Sequence, residues 1–412
     1  MRKGIKTRFP AALFPGTVWL IGMMAVLFSC FFAIGEVQSQ GVIQLPGTGQ
    51  QKCYDSSGKE IPCKGTGQDG ETRAGVPWPE PRFTNPDGSV PAKSPVVVDQ
   101  LTGLMWARDG GAPTESSCKG GPMEWPQAVD YVNCLDTQKY LGYSDWRLPD
   151  INELESLVNA EASIASDWLN GQGFIHVRKD YSYWTSTASD GIDVDVWNIY
   201  LRNGVISTAY KWSYHYYAWP VRTWLSSGKP PAPVWRTGQT HSTVKGDDGN
   251  LQLGVPWPDP RFIDHGNGTV TDRLTGLMWT KEANTPGKNL CHPPDILPNT
   301  WKGAFDFVAC LNKEKYLGYS DWRLPNKKEL FSLIDRRRYS PALPSGHPFI
   351  IDPPGKYWTS TTLANTPEFA CTLQFGGGFG GAAVKASSPN IQIWPVRAGL
   401  AAPTPGIEGD AK

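Results

Sequence analysis

The sequence predicts an α+β protein built from two tandem copies of one domain, and three observations lead to this fold class. First, the stretch Lys139–Pro149 returns unchanged as Lys315–Pro325. Second, apolar residues three or four apart in each copy predict amphipathic helices. Third, aromatic and β-branched runs such as Tyr183–Thr187 and Tyr357–Thr361 predict strands in the later half of each copy. The copies are too long for solenoid repeats and are whole domains.

The N-terminus has the pattern of an export signal. A basic start from Arg2 precedes an apolar run from about Val18 to Ala33. Val37–Ser39 suits a signal-peptidase site, and we favour simple secretion. Leu27–Cys30 also resembles a lipoprotein cleavage site in which Cys30 would carry the lipid, and a retained signal anchor is a third alternative. Later segments are too polar to span a bilayer.

Charge and cysteine usage agree with export to the periplasm, the outer cell envelope or the extracellular space. The 412 residues carry a formal net charge of zero, which argues against a nucleic-acid binder. Local cysteine pairs in an exported chain predict disulfides, here Cys53 with Cys63, Cys118 with Cys134, and Cys291 with Cys310. We predict no metal site from these cysteines. Cys371 is left over, and we expect a buried thiol in a strand.

The boundaries follow from these patterns. We predict an export signal over 1–40, a disulfide-stapled segment over 41–72, repeat 1 over 73–225, a linker over 226–250, repeat 2 over 251–398 and a disordered tail over 399–412. Thr48-Gly49-Gln50 recurs as Thr237-Gly238-Gln239 without the cysteines, so the stapled loop is assigned to the first copy only.

Each copy opens with a predicted hairpin, whose turn is 85–88 or 265–268 and whose second strand is 101–106 or 274–279. Acidic and amide side chains at Asp264, Asn267 and Asp272 suggest calcium, but their spacing does not match a helix–loop–helix calcium loop. The first helix follows, with Trp125 to Leu135 or Trp301 to Leu311 on its apolar face.

The second helix of each copy is expected to begin at Pro149 or Pro325, since proline fits the first helical turn. Trp146 and Trp322 precede it and should pack beneath it. Arg147 and Arg323 are predicted to form buried structural ion pairs, with Glu153 and Glu329 as partners, and a ligand-binding role for these arginines is the alternative.

The remaining elements are strands. They are predicted over 196–201 and 369–375, and each copy closes on Trp-Pro-Val-Arg at 219–222 or 394–397. The glycine-rich stretch 376–381 follows a strand without a helix start after it, which favours a hairpin tip over a phosphate-binding loop.

Four motifs occur twice in one fixed order: Leu-Thr-Gly-Leu-Met-Trp, Trp-Arg-Leu-Pro with a later glutamate, Tyr-Trp-Thr-Ser-Thr and Trp-Pro-Val-Arg. Together they resemble the C-terminal domain family of the Legionella collagen-like protein, over nearly all of 73–222 and 251–397. The resemblance implies two tandem C-type-lectin-like domains, each with two helices and a twisted antiparallel sheet. It also implies an adhesive module for sulfated glycosaminoglycans, and a distant fold relationship to formylglycine-generating enzymes.

An anionic glycan would require clustered basic residues. The second helix region of repeat 2 supplies a candidate cluster of Lys327, Lys328, Arg336, Arg337 and Arg338. The equivalent region of repeat 1 is acidic, with Asp150, Glu153, Glu155 and Glu161. These faces could instead be solvated, or they could meet within a chain or between chains.

A second candidate ligand surface is aromatic. Trp212, Tyr214, Tyr216 and Tyr217 could stack on a sugar or pack on a protein, or they could belong to the core. The sequence has no Gly-x-Ser-x-Gly or His-Glu-x-x-His motif, and we predict neither catalytic residues nor a cofactor.

The sequence therefore favours an exported, non-enzymatic binding or adhesion protein that recognises a glycan or protein through loops. A structural component of an envelope assembly is the alternative, and an enzyme resembling the formylglycine-generating enzymes is a weaker one. The expected partners are an anionic glycan or an envelope protein. A membrane would be reached only through the N-terminal lipid or signal anchor, and the oligomeric state is left open.

Overall fold

Helices and strands follow one another in nearly the same order in both repeats. A computed structural model describes residues 41–91, 94–189, 194–224, 228–291, 300–388 and 390–399. The predicted export signal, including Cys30, and the tail beyond Gly399 lie outside these residues. No helix in the described part of the chain is long and apolar enough to cross a membrane. All described residues belong to a single compact unit.

The chain begins with what we call the N-terminal segment, residues 41–76. Its strands β1 (Cys53–Tyr54) and β2 (Glu60–Ile61) pair antiparallel, and the Cys53–Cys63 disulfide closes the loop between them. A single helical turn, α1 (Asp69–Thr72), follows.

Repeat 1 forms two antiparallel sheets and three helices. In chain order its elements are β3 (Phe83–Thr84), β4 (Val96–Asp99), β5 (Leu104–Ala107), α2 (Trp125–Thr137), α3 (Ile151–Ser156), α4 (Ala165–Gly171), β6 (Ser182–Ala188), β7 (Asp195–Tyr200), β8 (Val205–Tyr210) and β9 (Val221–Thr223). One sheet has the strand order β3-β4-β5-β9 and the other β6-β7-β8. The sheet that contains β9 therefore joins the start of the repeat to its end.

The inter-repeat segment, residues 228–255, contains the short helix α5 (Asp248–Leu251). Repeat 2 then gives β10 (Phe262–Asp264), β11 (Thr269–Asp272), β12 (Leu277–Thr280), α6 (Trp301–Lys313), α7 (Lys327–Ser332), β13 (Lys356–Thr362), β14 (Phe369–Gln374), β15 (Phe379–Val384), β16 (Ile391–Gln392) and β17 (Val396–Ala398). Its sheets have the orders β10-β11-β12-β17 and β15-β14-β13-β16. The short β16 runs parallel to β13, and the other pairs are antiparallel.

The second helix of each repeat begins two residues later than the prolines predicted. Asp150 and Asn326 are the N-cap residues of α3 and α7, and each forms a capping box with the glutamate three residues on. Each N-cap side chain satisfies a free backbone N–H group of the first helical turn, so the helix begins at the residue after the cap. Pro149 and Pro325 therefore lie before the N-cap residues and not in the first turn. Helix α4 was not predicted, since its N-cap, Ile164, offers no side-chain hydrogen bond.

Tryptophan side chains form the centre of each repeat. In repeat 1 the rings of Trp106 and Trp219 lie 5.3 Å apart, and in repeat 2 those of Trp279 and Trp394 lie 5.4 Å apart. The largest apolar cluster contains buried residues of both repeats. At their boundary the ring of Trp197 lies 5.2 Å from that of Phe379, so a shared core joins the repeats.

The segments that precede the two repeats are exchanged. Asp69 of the N-terminal segment accepts hydrogen bonds from Thr48 of the same segment (2.7 Å) and from Thr361 of repeat 2 (2.6 Å). In the mirror arrangement, Asp248 of the inter-repeat segment accepts from Thr237 (2.6 Å) and from Thr187 of repeat 1 (2.8 Å). Each segment thus packs on the repeat that it does not precede.

The recurring Thr-Gly-Gln motif of each segment also binds the repeat that the segment does not precede. The Gln50 amide donates to the Thr362 carbonyl (2.9 Å) and accepts from the Thr362 N–H (2.8 Å) in repeat 2. The Gln239 amide donates to the Ala188 carbonyl (3.1 Å) in repeat 1. The stapled loop, which we assigned to the first copy, lies against helix α6 of repeat 2.

The predicted disulfides and ion pairs are confirmed. The structure contains the Cys53–Cys63, Cys118–Cys134 and Cys291–Cys310 bonds. Arg147 binds both carboxylate oxygens of Glu153 at 2.6 Å, and Arg323 binds those of Glu329 at 2.5 and 2.7 Å. Trp146 and Trp322 are buried. Trp322 lies in an apolar cluster with residues of the first helix, α6, rather than beneath the second helix as predicted. These bidentate ion pairs fix the conformation of the chain at the start of each second helix.

Candidate functional site

The end of β8 and the loop that follows it expose a group of aromatic side chains on repeat 1. Tyr210, Trp212 and Tyr214 are 40%, 46% and 49% exposed, although side chains of this size are usually well buried. The rings of Tyr210 and Trp212 lie 5.3 Å apart in an edge-on arrangement. The ammonium group of Lys211 lies 4.5 Å above the Trp212 ring, a cation–π contact. We call residues 210–216 the aromatic loop.

Hydrogen bonds hold the base of the aromatic loop. The backbones of Tyr216 and Met123 exchange two hydrogen bonds of 3.0 and 2.9 Å. The Tyr216 ring packs 4.7 Å from that of Trp184, and burial raises the pKa of its hydroxyl. Tyr217, one of the predicted ligand residues, is buried. A fixed base with exposed ring faces at the tip is the geometry of a preorganised binding loop.

A polar cavity of about 430 Å³ lies beside the aromatic loop. His215 forms its border with the loop, and Ser117 and Lys119 of the disulfide-bonded stretch form another wall. Gln127 and Asp130 contribute from helix α2. Hydroxyl, amide, carboxylate and cationic groups in one cavity next to aromatic rings suit a ligand with many hydroxyl groups.

The position of repeat 2 that is equivalent to the aromatic loop has a different structure. Lys385 follows β15 as Lys211 follows β8, and the Trp301 N–H donates to the Lys385 carbonyl (2.9 Å) as Trp125 does to Lys211 (3.0 Å). Beyond that lysine, positions 386–390 of repeat 2 contain no aromatic residue. The Lys385 ammonium is buried 4.1 Å from the Trp301 ring, and burial lowers its pKa to about 7.

Repeat 2 has a groove of about 520 Å³ at its junction with the stapled loop. Tyr54 and Asp55 form one wall, and Phe305 and Asp306 of helix α6 form the other. Trp301 lines the floor but is only 2% exposed. The groove therefore offers fewer open ring faces than the aromatic loop does.

The predicted basic ligand cluster is wrong for three of its five residues. Lys327, Lys328 and Arg336 are buried, at 6%, 1% and 3% exposure. Both lysines form ion pairs with Glu155 of repeat 1. The Arg336 guanidinium stacks 4.5 Å from the Trp197 ring, and burial lowers its pKa to about 9. Of the alternatives, the meeting of the acidic and basic faces within the chain is confirmed.

Arg337 and Arg338 lie nearer the surface. The Arg337 guanidinium donates to the Thr240 hydroxyl (2.8 Å), and Arg338 is exposed. Two arginines make a much weaker anion site than the five basic residues predicted, so the aromatic loop is the stronger candidate site.

The remaining candidate residues have structural contacts. Asp264 forms an ion pair with Lys281 (2.7 Å), and Asp272 with Arg261 (3.0 Å), so each of these carboxylates has a cationic partner within the chain. Cys371 lies in β14, as predicted; the residue as a whole is partly exposed, and burial of its thiol raises the pKa. In the described ranges, no group of three or more His, Cys, Asp or Glu residues is placed to hold a metal ion.

These observations define a class of protein: a duplicated, disulfide-bonded α+β domain whose exposed aromatic and polar groups lie on loops. Within that class the chain belongs to the Lcl C-terminal domain family, whose model matches residues 95–222 and 268–397. The two matches lie within the two repeats. No curated protein sequence matches the chain.

Proposed function

We propose that the chain is an exported, non-enzymatic binding or adhesion protein that recognises a glycan through the aromatic loop of repeat 1. The observation that carries the proposal is the exposure of Tyr210, Trp212 and Tyr214 beside a polar cavity. Aromatic faces pack on the apolar faces of sugar rings, and the neighbouring polar groups can bind sugar hydroxyls.

Family membership supports an adhesion-like role, and the resemblance noted above suggests a C-type-lectin-like fold for each repeat. The three disulfides are compatible with an exported protein, in the periplasm, the outer envelope or outside the cell. The mixture of Lys119, His215 and Asp130 around the cavity fits a weakly charged saccharide better than a highly sulfated one.

A glycan array probed with the whole chain tests this proposal. Binding to a defined set of saccharides is expected, and Trp212→Ala and Tyr214→Ala should each weaken it at least tenfold, or about 1.4 kcal/mol. Tyr339→Ala is the matched control, since Tyr339 is an exposed aromatic residue (69%) on repeat 2.

Two outcomes would contradict the proposal. One is unchanged glycan binding by both loop variants. The other is the absence of glycan binding together with a stable envelope protein recovered on the immobilised chain, which would favour a structural role in an envelope assembly.

A further inference from the structure

The second helices of the two repeats, α3 and α7, contact each other through buried side chains. Glu155 of α3 binds the ammonium groups of Lys327 and Lys328 of α7, at 3.2 and 2.9 Å. Lys328 also donates to the Glu155 backbone carbonyl (3.3 Å). All three side chains are no more than 7% exposed, so each charge depends on its partner for stabilisation.

The residues at the equivalent positions, with the two repeats interchanged, do not form such a cluster. The position of repeat 2 that is equivalent to Glu155 is Phe331, which lies in the shared apolar cluster. The positions of repeat 1 equivalent to Lys327 and Lys328 are Ile151 and Asn152, which are uncharged. One half of the interface is therefore ionic and the other half is uncharged.

Several contacts of the two exchanged segments are equivalent in the two repeats. The Thr-Gly-Gln motif is the same in both segments, and Asp69 and Asp248 accept from equivalent threonines. The glutamate–lysine cluster is an asymmetric ionic contact between the repeats, and the stack of Arg336 on Trp197 is a second asymmetric contact.

We propose that this cluster selects the partner of each repeat, so that repeat 1 pairs with repeat 2 and a like copy is rejected. Two copies of repeat 1 would bury two glutamates against isoleucine and asparagine. Two copies of repeat 2 would bury four lysines against phenylalanine. Unpaired buried charges disfavour both arrangements, so this face recognises only the other repeat, within the chain or on a second copy of it.

Charge reversal in the whole chain tests the pairing. Glu155→Lys and Lys328→Glu should each lower the melting temperature by roughly 10 °C. The double variant should recover at least half of the summed loss, because a new ion pair forms. Lys313→Glu, at an exposed position of α6, is the control and should change little. Additive losses in the double variant would overturn the proposal.

A second measurement does not require the variants to fold. A protease site is inserted in the linker between Trp224 and Gly228 of the wild-type chain, and the folded chain is cleaved. The halves are then separated in denaturant, allowed to re-form and counted by native mass spectrometry. Only mixed pairs are expected. Like pairs at comparable abundance would overturn the proposed selection.

Discussion

Repeat 1 and repeat 2 share one scaffold up to the lysine that follows their third long strand, and they diverge directly after it. Lys211 and Lys385 both accept from the first tryptophan of the preceding helix and both lie over its ring. In repeat 1 the chain then exposes Trp212 and Tyr214. In repeat 2 it continues with small residues, and the stapled loop covers the neighbouring helix instead.

The comparison indicates how the duplication has been used. Residues that hold the scaffold are the same in both copies, whereas residues on the loops and at the shared interface differ. One copy thereby presents aromatic rings and the other provides the matching charges that hold the pair together. Four predictions test whether the copies are equivalent in scaffold and different in role.

The largest effect is expected from the buried arginines. Arg147→Ala should lower the free energy of unfolding by about 3 to 5 kcal/mol, since Glu153 would lose its charged partner in a buried site. Arg323→Ala should cost less, because its side chain is 23% exposed compared with 11% for Arg147. Denaturant titration of both variants measures the difference, and Arg338→Ala is the control. Equal losses would show that exposure does not matter here.

The stapled loop precedes repeat 1 in the sequence but packs against repeat 2 in the structure. Replacing Cys53 and Cys63 with serine should destabilise the chain by about 2 to 4 kcal/mol, since the open loop gains entropy on unfolding. Hydrogen exchange should then rise in helix α6 of repeat 2, beside the loop, before it rises in helix α2 of repeat 1. Faster exchange in α2 alone would contradict the observed packing.

The two exchanged aspartates should respond to pH in the same way. Burial raises the pKa of Asp69 and of Asp248 to about 6. A carboxyl that holds its proton more tightly when folded stabilises the fold fully below about pH 4, and that contribution is lost as pH rises through about 6.

Between pH 4 and pH 7, titration of each aspartate should lower the wild type's free energy of unfolding by about 2 to 3 kcal/mol. Asp69→Asn and Asp248→Asn should each remove that part of the pH dependence. The difference between each variant and the wild type isolates the aspartate from groups such as Glu155, whose pKa is lowered by its lysines. If the difference in free energy of unfolding between variant and wild type did not change with pH, the aspartates would titrate normally.

The smallest effect concerns the helix caps. Burial and the neighbouring carboxylates Glu153 and Asp248 raise the pKa of Asp150, whereas the equivalent Asn326 is neutral and donates to the Ala74 carbonyl (3.0 Å). Asp150→Asn keeps the cap and should add about 1 kcal/mol of stability at pH 7. Asn326→Asp is the reverse control and should destabilise; thermal unfolding of both variants measures the pair.

Local signals in the sequence predicted much of the scaffold. The spacing of Trp125 to Leu135 predicted helix α2, and cysteines close together in sequence predicted each disulfide. The Arg147–Glu153 pair was predictable because its partners lie within one turn of a helix start. These features depend on neighbours that are close along the chain.

The remaining features depend on distant contacts. Nothing near Asp69 indicates that it binds Thr361 of repeat 2. The basic residues Lys327 and Lys328 looked like a ligand surface because their partner, Glu155, belongs to the other copy. The signal that could have found this pair was the opposite charge of two otherwise equivalent helices, which we noted as one alternative.

Calorimetry of the whole chain tests most directly whether the two repeats form a single unit. The structure predicts one unfolding transition, and Thr361→Val, which removes a bond from repeat 2 to Asp69 of the N-terminal segment, should move that whole transition to lower temperature. Two separate transitions, of which the substitution moves only one, would contradict the account.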